Sequence, residues 1–68
     1  MNFITAMDEV KEKGKKVYLV GWDPEKKYVY YSSEGKYKMH LYDLEINFLI
    51  SRSDIDEYIM EGVWKELE

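Results

Sequence analysis

Cysteine is absent from this chain of 68 residues. Without a thiol there can be no disulfide, no thiolate nucleophile and no sulfur-ligated metal. Histidine occurs once, at position 40, which is too few for a usual zinc site. The four glycines (14, 21, 35 and 62) stand singly, so no glycine-rich phosphate loop forms. Pro24 is the only proline. No run approaches the roughly 18 apolar residues needed to span a bilayer. Met1 to Thr5 lacks both the basic and the apolar region of a signal peptide. No cofactor, metal or membrane is therefore expected, and the expected location is cytoplasmic.

What is present is more informative. Hydrophobic residues make up 46%, the composition of a folded chain rather than a disordered one. The length suits one domain spanning 1–68. A core this small only narrowly offsets chain entropy, and with disulfides and metals excluded, association is the remaining common support. A homo-oligomer, dimer or tetramer, is the expectation. Ten basic and fourteen acidic side chains give a net charge of −4, so direct DNA binding is not expected. The charge is uneven. Residues 1–40 hold eight lysines against six acids, and residues 41–68 hold Arg52 and Lys65 against eight acids.

Phe3, Ala6, Met7 and Val10 fall at i, i+3, i+4 and i+7, one apolar stripe of a helix. Asn2 is suited to cap its start and Gly14 to end it. Val17-Tyr18-Leu19-Val20-Gly21-Trp22 reads as a strand. Alternation puts Val17, Leu19 and Gly21 on one face and Tyr18, Val20 and Trp22 on the other. Both faces are apolar, so one takes the helix and the other needs a second cover. Asp23-Pro24-Glu25-Lys26 is a turn, Tyr28 to Tyr31 a second strand, and Ser32 to Gly35 another turn. From Lys36 to Tyr42, Tyr37, Met39 and Leu41 alternate with Lys38, His40 and Tyr42 in a half-exposed third strand. Residues 43–50 fit a strand, by alternation of Ile46, Phe48 and Ile50, or a short helix; the strand is preferred. Ser53 then caps a helix whose inner stripe is Ile55, Tyr58 and Ile59 and which Gly62 ends. Val63 to Leu67 is a last strand. The fold class is α+β: an N-terminal helix packed on a small antiparallel β-sheet of four to five strands, with a second short helix before the last strand.

Catalytic chemistry is thinly supplied. His40 sits alone on a strand, and the serines occupy turn and cap positions. Asp54-Ile55-Asp56-Glu57 resembles a calcium loop only superficially, because Ile59 and Lys65 stand where glycine and glutamate are needed. Binding is better supplied, and the chain is not expected to be an enzyme. Seven of eleven aromatics are tyrosine. Trp22 stands at a strand end, Tyr18, Tyr28, Tyr30, Tyr31, Tyr37 and Tyr42 lie on the sheet, and lysines line its margins. Aromatic faces stack on bases and lysines hold phosphates. The ligand-binding candidates are Trp22, Tyr18, Lys15, Lys16, Tyr28 and Trp64.

Phe3-Ile4-Thr5-Ala6-Met7, Gly14-Lys15-Lys16-Val17 and Gly21-Trp22 together resemble the opening of the Thoeris anti-defence proteins of the second type, a small phage counter-defence family. Ser51-Arg52-Ser53-Asp54-Ile55 and Val63-Trp64-Lys65 look similar to its closing helix start and Trp-containing last strand. The chain departs where Tyr18-Leu19-Val20-Gly21 replaces the family's basic pattern, and where Val63-Trp64 replaces its Asp-Trp. The resemblance implies an oligomeric sponge that sequesters a cyclic nucleotide, such as a cyclised ADP-ribose or a cyclic dinucleotide, without cleaving it. Trp22 would then pack against the ligand base. Lys15 and Lys16 for phosphate come from the residues alone. The alternative is a small acidic inhibitor that binds a host defence protein by protein–protein contact, as anti-CRISPR proteins do.

Overall fold

A computed structural model of the chain describes residues 1–48 and 57–68. Its elements run α1 (Phe3–Lys13), β1 (Lys16–Leu19), β2 (Lys27–Tyr31), β3 (Tyr37–Leu41), β4 (Leu44–Asn47), α2 (Glu57–Glu61) and β5 (Trp64–Leu67). The five strands form one antiparallel sheet in the order β4-β3-β2-β1-β5. Strands β1 to β4 make a meander, and β5 returns to the free edge of β1. The α+β architecture read from the sequence is the one found.

Helix α1 forms for the reasons its sequence supplies. The Asn2 Oδ1 accepts from the Thr5 amide at 2.8 Å, and Gly14 ends the helix at φ 65°. Its stripe of Phe3, Ala6, Met7 and Val10 is buried on one face of the sheet. There it meets Val17, Leu19, Val29, Met39 and Trp64, and these nine residues are the core among the described residues. Trp22, Tyr31, Tyr37, Phe48 and Ile59 pack around it, half-buried.

Three local readings are corrected. Strand β1 ends at Leu19, not Trp22, because the Trp22 amide donates back to the Leu19 carbonyl at 2.9 Å. Gly21 takes φ 109° in this tight turn, a region that side chains disfavour. The turn breaks the alternation, so Trp22 swings to the helix side and meets Trp64 edge-on at 5.3 Å. Residues 44–47 are a strand, as preferred, but Phe48 lies beyond its end and Ile50 lies outside the described residues. In the second helix Ile59 packs inward while Tyr58 is exposed, contrary to the expected stripe. A five-residue helix makes little more than one turn and offers few inward positions. The expected cap Ser53, the acids Asp54 and Asp56, and Ile55 lie outside the described residues. Gly62 does end this helix, its amide donating to the Tyr58 carbonyl at 3.0 Å. A Cβ there would stand 2.3 Å from Leu19 Cδ1 and 2.6 Å from the Tyr58 carbonyl oxygen.

Candidate functional site

The helix covers one face of the sheet. The opposite face is set by period-two alternation and by the pairing register. Tyr18 lies opposite Lys65, Tyr28 opposite His40, and His40 opposite Glu45. Lys16 lies opposite Leu67, Tyr30 opposite Lys38, and Lys38 opposite Asn47. Val17 opposite Val29 places Tyr18 beside Tyr28 and Lys16 beside Tyr30. Two rows therefore cross the sheet: Lys65, Tyr18, Tyr28, His40 and Glu45 in one, and Leu67, Lys16, Tyr30, Lys38 and Asn47 in the other. None of these ten side chains is in the buried core. This is the second apolar-aromatic face that the sequence of β1 leaves in want of a cover.

The cluster at its centre is built by contacts between strands. The imidazole of His40 stacks on the Tyr28 ring with centroids 4.8 Å apart and planes 19° from parallel. On the neighbouring strand β1, Lys16 places its ammonium 5.0 Å from the Tyr28 centroid, a cation–π contact. Glu45 joins two partners: the Tyr30 hydroxyl donates to it, and the His40 Nδ1 bonds its other oxygen. The hydrogen bond from Tyr30 is the main reason the Glu45 carboxyl is held below its ordinary range, with His40 next. The same bond pushes the Tyr30 phenol up to about 12, so Tyr30 stays a neutral donor. Lys16 and Lys38 make no ion pair among the described residues.

The sequence-predicted residues divide between the two faces. Tyr18, Lys16 and Tyr28 share the open face. Trp64 is fully buried, at 0% exposure, and its Nε1–H donates to the Ile59 carbonyl at 3.2 Å. Within this chain it is core and presents no surface. Trp22 is half-buried on the helix side, with the Lys27 ammonium 4.3 Å from its ring centroid. Lys15 is held between Glu66 at 3.2 Å and Glu9 at 3.4 Å. These carboxylates, Glu66 foremost, raise the Lys15 pKa, while Lys13 is the main cause of the lowered Glu9 value. A phosphate at Lys15 would have to displace both partners.

Tyr30, Lys38, His40 and Glu45 were not among the sequence candidates. Their signal was the alternation of Lys38 and His40 against Met39 in the third strand. The register that brings Glu45 onto His40 is tertiary information. Elsewhere, an open depression of about 400 Å³ is lined by Glu57, Tyr58, Glu61 and Gly62. The carboxylates of Glu57 and Glu61 there disfavour an anionic ligand. No three potential metal-ligating side chains gather among the described residues. No helix among them is long and apolar enough to cross a membrane.

Comparison with known proteins gives one match. The family model of the Thoeris anti-defense 2-like domain covers residues 1–66. No curated protein and no solved structure matches the chain.

Proposed function

From the premise that this chain belongs to the Thoeris anti-defense 2-like family, we propose that it carries out its anti-defence role by sequestering a cyclic nucleotide signal without cleaving it. The observation that supports this reading is the open sheet face. It offers Tyr18, Tyr28, Tyr30 and the His40 ring together with Lys16 and Lys38, which make no ion pair among the described residues. Aromatic rings accept the apolar faces of bases, and ammonium groups accept phosphate oxygens. Binding lowers the free concentration of the signal by mass action, so affinity and protein copy number suffice and no bond need break. A chain this small encloses little volume, so the reading places the ligand at a boundary between copies of a homo-oligomer in the cytoplasm.

The test is a thermal-shift and native mass-spectrometry panel of cyclic ADP-ribose and cyclic dinucleotides. The expected result is a stoichiometric complex from which heating releases unaltered nucleotide. Recovery of a hydrolysed product would refute sequestration.

A second reading is favoured by the acidic depression beside α2. Glu57 and Glu61 flank it, with Tyr58, Met60 and Val63 exposed nearby. Such a surface suits a basic patch on a host defence enzyme. A stoichiometric host protein retained in a pull-down, with no thermal shift from any nucleotide, would establish that reading over the first.

A further inference from the structure

We infer that Lys16, Lys38 and His40 form a phosphate subsite on the open sheet face, with Glu45 acting as a positioning residue for the histidine ring. The inference rests on the nucleotide-binding reading above and gives it a location that the sequence did not.

Register supplies the first argument. Lys16 and Lys38 flank Tyr30 on the two strands either side of it, so their backbones stand about 10 Å apart, two strand spacings. Each carries its charge on a flexible four-carbon stem, and both can reach one anion lying over Tyr30. His40 stands in the adjoining row on the same strand as Lys38, two residues on.

The second argument is the state of each polar atom. The Nδ1 of His40 is taken by Glu45, and its ring face by Tyr28. Stacking and hydrogen bond together fix the plane of the ring. Nε2 is then the ring nitrogen left to meet a ligand. With both nitrogens protonated, Nδ1 donates to Glu45 and Nε2 donates outward to a phosphate oxygen. Glu45 balances that charge and holds the ring in place.

The third argument is charge complementarity. Among the described residues, the two rows of the open face carry Lys16, Lys38 and Lys65 against the one carboxylate of Glu45, while the chain as a whole is −4. Glu45 is already bonded to Tyr30 and His40, and Tyr30 stays a neutral phenol beside it. An anion that leaves the acidic remainder of the surface finds its positive charge here. The Tyr28 ring is stacked against His40 from β3 and met by the Lys16 ammonium from β1, the strands on either side of it. Tyr28 therefore organises the site, and Tyr18 is the ring left to meet a base.

The single histidine makes the test direct, because the imidazole nitrogen resonances belong to one residue. The full chain is titrated by NMR with inorganic pyrophosphate and, separately, with a cyclic dinucleotide. Both ligands are expected to shift the His40 nitrogen signals. The Lys16→Ala/Lys38→Ala double variant is expected to stay folded, with its melting temperature lowered by no more than the lost Lys16–Tyr28 contact accounts for, and to bind both ligands at least ~10-fold more weakly, since each charge-assisted bond is worth roughly 1.5–3 kcal/mol. Dinucleotide binding that is unchanged in the double variant and leaves His40 unmoved would overturn the subsite and spare the sequestration reading. Pyrophosphate bound at His40 with no cyclic nucleotide bound would support the subsite and overturn that reading. No binding of either ligand would overturn the subsite.

Discussion

Replacing Trp64 by alanine tests whether this tryptophan is core or ligand surface. The indole is fully buried, touches the Phe3 ring at 6.0 Å and the Trp22 ring at 5.3 Å, and donates to the Ile59 carbonyl. Truncating a buried tryptophan costs about 3–5 kcal/mol through lost transfer energy and the cavity left behind. A chain of this size has roughly 3–10 kcal/mol of stability to lose. The variant should therefore melt at least ~12 °C lower, at about 4 °C or more per kcal/mol for a small domain, or fail to fold. Trp22→Ala is the paired control. That ring is half-buried, and its loss removes one edge-on aromatic contact and the Lys27 cation–π contact, together about 2 kcal/mol. Urea and thermal denaturation followed by circular dichroism read both variants, with nucleotide titration of whichever stay folded. If Trp64→Ala loses less than ~1 kcal/mol yet abolishes nucleotide binding, Trp64 belongs to the site and the core assignment fails.

Gly62→Ala should destabilise by about 1–3 kcal/mol, because the new methyl would press on Leu19 and on the Tyr58 carbonyl; chemical denaturation within 0.5 kcal/mol of the parent, a small change on the usual ~1 kcal/mol mutational scale, would contradict that crowding. Asn2→Ala should cost about 1 kcal/mol through loss of the helix cap, read as a lower urea midpoint with an unchanged slope. The pH dependence has a definite sign on each limb. Glu45 titrates low in the folded chain, so its contribution is present above the ordinary glutamate range and lost as pH falls through its lowered value. Tyr30 titrates high, so its contribution is intact below the ordinary tyrosine value and fades as pH rises towards about 12. Tyr30→Phe should flatten both limbs of a stability–pH profile, and a profile identical to that of the parent would rule out the Tyr30–Glu45 bond.

Local chemistry made α1 legible in the sequence from end to end. Its cap, its stripe and its terminal glycine are set by residues within one or two turns, and they hold wherever the helix packs. The strands were legible for the same reason, since alternation and turn residues are short-range signals. The absence of cysteine and the single histidine made binding the expectation from the sequence. The two faces of the sheet were not equally readable. Trp22 changed sides because Gly21 bends the chain back on Leu19, which breaks the alternation of the strand just before that ring. Trp64 was a site candidate in the sequence and is core in the fold, since burial depends on what packs above it. Lys15 kept its charge but acquired partners from α1 and from β5, the latter 51 residues along the chain. The His40–Glu45–Tyr30 cluster depends on three strands meeting in one register. Pattern assigns each residue to a face, but only tertiary pairing decides which side chains on that face become neighbours.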